Sequence, residues 1–315
     1  MQKVIYQLKD FLKNDFNIYS YSWALIFLIT SITINYTLNF EHKYINPTQS
    51  SGMSMFWFTL FYLFAWFIIA IPKLLIDKNY KTLTNPLFYV KILIFLSIIG
   101  IASGFGFQKK WNFGIEDKLT HFYIIKSITQ LKCLAIYTIP FIAMKYFFDK
   151  SQSGIYGFSR KFGNGKIYLQ MLLLVAPVII IVSFTADFIH AYPRFQPWRF
   201  AEMQLMPLWA STSIFESLYI VDYVMVEWAF RGALVIGMIS VMGKDAILPM
   251  VSVYVFLHFG KPLGESIGAM FGGYILGVLA YTTRHIWGGV ILHAGIALIM
   301  EFMGFFQFYI MGMRR

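Results

Sequence analysis

The sequence predicts an all-α polytopic membrane protein with eight or nine transmembrane helices. Hydrophobic residues make up 58% of the 315 positions, the mean hydropathy is +0.62, and only 13% of the residues are charged. A soluble domain is nearer half apolar and a quarter charged. Apolar runs close to the length of a bilayer span, about 20 residues, recur along the chain. Together these observations predict one domain of membrane-spanning helices.

The charge balance and the single cysteine exclude several classes of protein. The formal net charge is +11, which in a soluble protein would suggest a nucleic-acid partner. In a membrane protein such lysines and arginines flank the spans and set the topology. We therefore expect contact with membrane lipid and no nucleic-acid partner. Cys133 is the single cysteine, which excludes an intramolecular disulfide and a cysteine-rich metal site.

The first twenty residues are too polar to form a membrane span or a signal peptide. They carry Lys3, Lys9, Asp10, Lys13 and Asp15, and no apolar core precedes the first long run. We expect residues 1–20 to form a short amphipathic helix on the membrane surface. Insertion would then start at the first span, which stays in place.

Nine apolar runs follow this segment. The seventh is short and predicts a tilted or partly buried helix, so the number of spans is eight or nine. The chain has no internal repeat and no low-complexity linker. The runs cover Tyr21–Phe40, Met53–Ile76, Leu87–Phe107, Leu131–Phe148, Ile167–Ile189, Leu208–Met242, Ile247–Phe259, Ser266–Thr283 and Ile286–Phe306.

Basic loops predict the orientation in the membrane. The N-terminal segment, the stretch from Lys73 to Lys81 and the Asp149–Lys166 loop are rich in lysine and arginine, and they alternate as cytoplasmic loops should. The Gln108–Gln130 loop breaks this pattern with four lysines, and we expect it to fold back on the membrane surface. The terminal Arg314–Arg315 pair fits eight spans better than nine. The N-terminus is therefore expected to be cytoplasmic.

The sequence Val-Glu-Trp-Ala-Phe-Arg-Gly, residues 226–232, marks the candidate site. Glu227 and Arg231 are four residues apart inside an apolar run, so on a helix they share a face and can pair. Two charges within a membrane-length apolar segment are costly and are usually kept for a site. Asp222 lies about one turn earlier, where it either faces the same cavity or hydrates the helix entrance.

Two histidines on later apolar runs are further candidates. His258 lies near the end of the seventh run, where a lone histidine is often an interfacial or capping residue. His293 lies well inside its span, and an intramembrane imidazole acts as a general base, a proton relay or a metal ligand. Two histidines and Glu227 are a thin ligand set for a metal. The sequence therefore neither predicts nor excludes a bound metal ion, and it predicts no cofactor.

The last-but-one span has small residues at helical spacing. Such spacing lets helix backbones approach closely in lipid. We expect it to draw together the neighbouring helices, which carry the two candidate histidines. The glycines four residues apart are Gly264, Gly268 and Gly272, and then Gly273 and Gly277.

The order of these polar residues resembles the CPBP family of intramembrane proteases. That family includes the type II CAAX prenyl endopeptidases and bacterial bacteriocin-processing and immunity proteins. Its pattern is Glu-Glu-x-x-x-Arg, then Phe-x-x-x-His, then His-x-x-x-Asn. The resemblance covers about Leu208–Phe306. It divides the chain into an amphipathic segment, N-terminal membrane helices, a CPBP-like core and a tail, at residues 1–20, 21–207, 208–306 and 307–315.

Matched position by position, the resemblance implies that four residues form the site. Glu227 takes the place of the second family glutamate and Arg231 that of the arginine. The two histidines correspond to His258 and His293. Tyr254 stands where the family has phenylalanine, which is a mild change.

Two positions depart from the family pattern. The first glutamate, which the family uses to activate water, is Val226, and the asparagine of the polar site is Ala297. In the family, the second glutamate and the arginine mainly organise the site. Loss of a catalytic base commonly lowers the rate by a factor on the order of 10²–10⁴. Either Glu227 or Asp222 acts as the base here, or the protein has kept the fold and lost the reaction.

Two functions from different classes follow from this resemblance. The first is an intramembrane endopeptidase, weakly active or inactive, acting on a protein or peptide with water activated by glutamate and histidine. The rival is a pseudoprotease that serves as a membrane partner or scaffold for another protein. A solute or proton pathway is disfavoured, because no second polar span completes a route. The expected location is a bacterial plasma membrane.

Overall fold

The computed structural model describes residues 2–46, 52–152, 154–159, 163, 165–203 and 205–312. The described chain is 81% helical and has no strand, which confirms the predicted all-α class. Short π-helical and 3-10 turns join or interrupt the α-helices. In chain order the α-helices are α1 (Gln2–Asp15), α2 (Ile18–Leu38), α3 (Gly52–Ile76), α4 (Tyr80–Leu83), α5 (Pro86–Gly104), α6 (Lys118–Phe148), α7 (Gly165–Val182), α8 (Ala186–Ala191), α9 (Leu208–Glu227), α10 (Ile239–Met242), α11 (Ile247–Leu257), α12 (Leu263–Thr283) and α13 (Trp287–Tyr309).

Eight segments of the described chain are long and apolar enough to cross a membrane, which confirms a polytopic membrane protein. The sixth differs from the others because its 50 residues contain α9, α10 and α11. The eight segments are Ile18–Leu38, Gly52–Ile76, Pro86–Lys110, Lys118–Phe148, Gly165–Val182, Leu208–Leu257, Leu263–Thr283 and Trp287–Tyr309.

The chain reverses direction inside the sixth segment. Asp245, just before α11, pairs with Lys73 near the end of α3 at 3.4 Å. Phe259, just after α11, accepts a hydrogen bond from Asn35 near the end of α2 at 3.1 Å. Because α2 and α3 are consecutive spans, their C-terminal ends lie on opposite sides of the bundle. The helix α11 therefore runs back into the bundle after a turn at Gly243, whose φ is 59°.

The helix α11 is the short, buried helix that the sequence predicts. Its residues from Ile247 to Phe256 are all buried. Eleven residues rise only about 16 Å, roughly half of a bilayer core of about 30 Å. The helix packs against both α3 and α12. It therefore holds its C-terminal neighbour, His258, inside the protein rather than at a lipid-facing end.

Two glycines of α12, Gly273 and Gly277, let this helix pack closely on α11. The other glycine set, which begins at Gly264, does not contribute to this contact. A Cβ at Gly273 would lie 3.0 Å from the Tyr254 ring, and one at Gly277 would lie 2.6 Å from Met250. The expectation that the first three glycines draw the histidine helices together is wrong, because they lie on another face of α12. A Cβ on any of these three would meet no described atom within 4 Å: Gly264, Gly268 and Gly272.

The predicted N-terminal helix forms as α1 and is anchored to the bundle. Phe11 is buried beside the Tyr281 ring of α12, at 5.8 Å between centroids. Asp15 pairs with Lys73 of α3 at 3.2 Å, and the Lys73 side chain is only 1% exposed. Lys73, one of the lysines counted in the orientation argument, is therefore ion-paired and buried inside the protein.

A second buried ion pair ties α5 to the start of the Asp149–Lys166 loop. Lys91 Nζ lies 2.8 Å from Asp149 Oδ2, and the Tyr156 hydroxyl donates to the same oxygen at 2.8 Å. These contacts fix the loop where it leaves α6. Four residues on which the orientation argument depends lie outside the described residues, namely Arg160, Lys161, Arg314 and Arg315.

Candidate functional site

Glu227 is the acceptor at the centre of the site. It is the last residue of α9, and its side chain is fully buried. Its Oε1 accepts from Arg231 Nη1 at 2.8 Å and contacts His293 Nδ1 at 2.9 Å. Because a carboxylate oxygen only accepts when ionised, the His293 Nδ1 carries the hydrogen. One oxygen thus joins α9, the following turn and α13.

A π-helical turn from Trp228 to Ala233 places Arg231 above Glu227. Its five-residue hydrogen bond runs from the Leu234 amide to the Ala229 carbonyl at 3.0 Å. Single π-turns inside α-helices are frequent at functional sites. The wider turn still keeps residues four apart on one face, so the predicted Glu227–Arg231 pair forms.

The Arg231 guanidinium is fully buried and lies over an aromatic ring. Its Cζ is 4.2 Å from the centre of the Tyr254 ring, a separation at which a cation is attracted to the face of an aromatic ring. Within the described chain, Nε and Nη2 make no hydrogen bond of good geometry. Arg231 therefore donates one hydrogen bond through Nη1, whereas its buried Nε and Nη2 have no described acceptor.

The start of α13 brings both a histidine and a glycine against Glu227. A Cβ at residue 289 would overlap Glu227 Oε2, so Gly289 is what allows the carboxylate to lie against the α13 backbone. That Oε2 has no hydrogen-bond partner among the described residues. His293 follows one turn later and reaches Oε1. The carboxylate is thus enclosed on both sides.

His258 completes the predicted group of four. Its ring centroid is 6.5 Å from that of His293, which confirms that the two imidazoles come together well within about one helix diameter of 12 Å. Its Nδ1 lies 2.7 Å from the Tyr254 carbonyl oxygen. A carbonyl only accepts, so Nδ1 carries the hydrogen and the Nε2 of the neutral ring keeps a free lone pair.

The two positions that depart from the family pattern lie in apolar surroundings. Val226 packs against the main hydrophobic core. Ala297 is buried beside His293 on α13, in a cluster with Phe195 and Phe215. Neither position offers a polar group to the site.

Asp222 is the alternative base considered from the sequence, and it has a different neighbour. Its carboxyl group interacts with the thiol of Cys133 on α6. Its Oδ1 has no hydrogen-bond partner among the described residues. Cys133 itself is buried and forms no disulfide, as expected of a small core residue. Asp222 thus faces α6 and makes no described hydrogen bond to the four candidates.

Three further residues shape the site, and sequence reasoning missed two of them, Tyr223 and Gly289, and noted Tyr254 only as a mild change in the family pattern. The Tyr254 hydroxyl lies 3.3 Å from His293, and the Tyr223 ring lies 4.4 Å from the same imidazole. Gly289 gives the carboxylate its room. Tyrosine and glycine are common in any membrane span, so the sequence carries no signal that separates Tyr223 and Gly289 from packing residues.

The fold defines an integral membrane protein, and the four candidate side chains meet among its helices. The model of the Rce1-like type II CAAX prenyl endopeptidase family matches residues 207–299. This confirms the resemblance to CAAX endopeptidases, and the matched segment contains all four candidates. No curated protein and no solved structure matched the chain. In the described part of the chain, no group of three histidine, cysteine or acidic residues is arranged to hold a metal ion.

Proposed function

We propose that this CAAX-protease-like chain binds a peptide segment of a membrane partner and hydrolyses it slowly or not at all. The binding cavity would be formed by Glu227, Arg231, His258 and His293. The observation that carries this proposal is the enclosure of Glu227. Its Oε1 is committed to two partners, and its Oε2 faces the Gly289 backbone.

Peptide hydrolysis requires a base that deprotonates water and donors that stabilise the oxyanion. A carboxylate with one oxygen occupied and the other against a backbone has little room to hold an attacking water. The neighbouring residue cannot take over, because adjacent residues on a helix point about 100° apart and Val226 has no polar atom. Glu227 therefore acts as an organiser of the cavity.

The remaining polar groups suit peptide binding. Arg231 has buried donors without a described partner, and His258 has a free acceptor on Nε2. Buried polar atoms are normally hydrogen-bonded, so a peptide backbone with its alternating carbonyl and amide groups complements this set. The partner would be a protein or peptide within the membrane or at its surface.

An active endopeptidase with Glu227 as base is the second candidate. The 2.9 Å contact between the Glu227 carboxylate and the His293 imidazole favours it, since carboxylate–histidine pairs are common in general acid–base catalysis. For that reaction, Glu227 must leave Arg231 or turn Oε2 away from Gly289 when the substrate binds.

Complementation of a deletion strain separates the two candidates. We expect the His258→Ala variant to complement the deletion strain about as well as the control variant His190→Ala. The His190 side chain is exposed on α8. Loss of function in Glu227→Gln, His258→Ala and His293→Ala, with protein levels unchanged, would reject the pseudoprotease and favour the enzyme.

The location and orientation are part of the same proposal. We propose that the protein lies in a bacterial plasma membrane with α1 on the cytoplasmic side. The basic residues of the N-terminal segment and of the Asp149–Lys166 loop support this orientation.

A further inference from the structure

Residues 155–159, the spacer segment, lie in the loop after α6 and bind both elements that carry the candidate site. The Trp228 indole donates from Nε1 to the Ile155 carbonyl at 3.1 Å. The Trp287 indole donates from Nε1 to the Ser159 carbonyl at 2.8 Å. Trp228 begins the π-turn and Trp287 begins α13. The spacer segment is therefore hydrogen-bonded to the π-turn at one end and to α13 at the other.

The middle of the spacer segment fits between these elements without free space. The Gly157 carbonyl accepts from the Ile286 amide at 3.2 Å. A Cβ at Gly157 would lie 2.7 Å from Ile236, which follows the π-turn, and 2.8 Å from Ile286, which precedes α13. A Cβ at Gly232 of the π-turn would lie 2.6 Å from the Tyr156 carbonyl oxygen. Hydrogen bonds thus hold the two elements together, and direct contact keeps them apart.

The Phe158 ring packs against both indoles. Its centroid lies 4.9 Å from that of Trp228 and 5.5 Å from that of Trp287, and both contacts are edge-to-face. Edge-to-face pairs at such separations attract each other beyond the area that they bury. Each indole therefore has a carbonyl acceptor and an aromatic partner within the same five residues.

The spacer segment is anchored to the buried ion pair of α5. Tyr156 is buried, and its hydroxyl donates to Asp149 Oδ2 at 2.8 Å. The same carboxylate pairs with Lys91. Tyr156 has a φ of 47°, a left-handed conformation that a side-chain-bearing residue keeps only when its surroundings hold it there. The segment is therefore a fixed part of the helix bundle.

Glu227 bridges the same two elements. It directly precedes Trp228, its Oε1 contacts His293 Nδ1 at 2.9 Å, and a Cβ at Gly289 would overlap its Oε2. Because His293 and Gly289 both lie on α13, these contacts depend on the distance between α13 and the π-turn. A wider separation would lengthen the contact between Glu227 and His293.

We propose that the spacer segment positions the candidate site: it sets the distance between the π-turn and α13, and thereby holds Glu227 against His293 and Gly289. This positioning depends only on the geometry. Its consequence for hydrolysis rests on the proposed function, because Glu227 gains room for an attacking water only when the two elements separate.

Gly157→Ala tests the spacing directly. The added methyl group has no room between Ile236 and Ile286, so it must push α13 away from the chain that follows the π-turn. We expect the hydrogen bond from His293 Nδ1 to Glu227 to weaken. In NMR of the full-length protein, labelled with nitrogen-15 at histidine and held in detergent micelles, the Nδ1 hydrogen of His293 should shift upfield. His293→Gln identifies this signal by removing it.

The matched control is Gly114→Ala. Gly114 has a φ of 69° and Gly157 has a φ of 82°, so both substitutions force alanine into a left-handed conformation. A Cβ at Gly114 would meet no described atom within 4 Å, and we expect the His293 signal to stay unchanged in this variant. Equal shifts in the two variants, or no shift in Gly157→Ala, would overturn the proposal.

Trp287→Phe is a smaller change that decides the question if Gly157→Ala does not fold. It keeps an aromatic ring beside Phe158 and removes the donor to Ser159. A buried hydrogen exchanges with water only when its surroundings open locally. Loss of one hydrogen bond should speed exchange of the His293 Nδ1 hydrogen roughly 2- to 12-fold.

Trp23→Phe is the control for this variant, because the Trp23 indole donates to the Ile68 carbonyl at 2.8 Å, between α2 and α3. Both substitutions remove one bond from an indole to a carbonyl, and only Trp287→Phe should speed the exchange at His293. An unchanged rate in Trp287→Phe, or an equal increase in Trp23→Phe, would contradict the positioning role. Complementation tests the proposed function separately, so the two proposals can fail independently.

Discussion

Removal of the Arg231 side chain tests whether the buried ion pair supports the fold. In Arg231→Ala, Glu227 would lose the donor that lies 2.8 Å from Oε1, and both side chains are fully buried. Removing one partner of a buried pair costs roughly 3–5 kcal/mol, because the remaining charge stays uncompensated.

The surroundings place the expected loss near the middle of that range. Glu227 keeps one donor, His293 Nδ1 at 2.9 Å, which reduces the penalty. The substitution also removes the cation from the Tyr254 ring, a contact that contributes about 2 kcal/mol when desolvated. We expect a loss of about 4 kcal/mol in the free energy of unfolding. The double variant Arg231→Ala with Glu227→Gln should lose less, because no buried charge remains.

Reversible unfolding in mixed micelles of a mild detergent and dodecyl sulfate measures this free energy. The matched control is Lys261→Ala. Lys261 forms a pair of the same four-residue spacing with Glu265 at 3.4 Å, but its side chain is 34% exposed. Exposed pairs contribute about 0–1 kcal/mol. The reasoning is refuted if Arg231→Ala behaves like this control, or if the double variant is less stable than the single one.

Two further predictions concern packing and topology. Gly289→Ala should destabilise the protein by about 1–3 kcal/mol through overpacking against Glu227. Gly268→Ala is the control and should be nearly neutral, because its Cβ would meet no described atom within 4 Å. Equal free energies of unfolding for the two variants would contradict this prediction. In a Cys133→Ala background, a cysteine at Ser153 should resist impermeant maleimide added from outside intact cells, and ready labelling would reverse the proposed orientation.

The parts of the site that lie close together in sequence were predictable. Glu227 and Arg231 stand four residues apart in an apolar run, and that spacing alone indicates a shared helix face. The pairing survives the π-turn, because residues four apart also face the same way there. The two histidines were identified by the order of motifs, and their rings do lie 6.5 Å apart.

The packing between helices was not predictable from spacing. Two sets of glycines share the same four-residue interval on α12, and each would allow a close approach. Only the set containing Gly273 faces α11, whereas the set containing Gly268 is open. The face of a helix that turns inward depends on its neighbours, and the interval alone does not carry that information.

Lys73 has one role in the loop rule and another in the fold. The rule counts lysines and arginines near span ends and gives acidic residues little weight. Lys73 is instead enclosed by Asp15, Asp77 and Asp245, so its charge is neutralised within the protein. These ion pairs explain how Lys73 is held in the fold, and the orientation stays a prediction from the lysines and arginines near the span ends.

The hydrogen-bond pattern of the site distinguishes organising groups from groups available to a ligand. Glu227 Oε1 and the Nδ1 of His293 satisfy each other, and the Tyr254 hydroxyl lies 3.3 Å from both nitrogens of the same ring. The groups that remain are the donors of Arg231 and the Oε2 of Glu227, together with the Nε2 acceptor of His258. A cationic donor beside a neutral acceptor can bind a peptide carbonyl and an amide. Under the proposed function this pair binds a peptide while Glu227 Oε2 stays against Gly289, and Val226 supplies no carboxylate with which to deprotonate water.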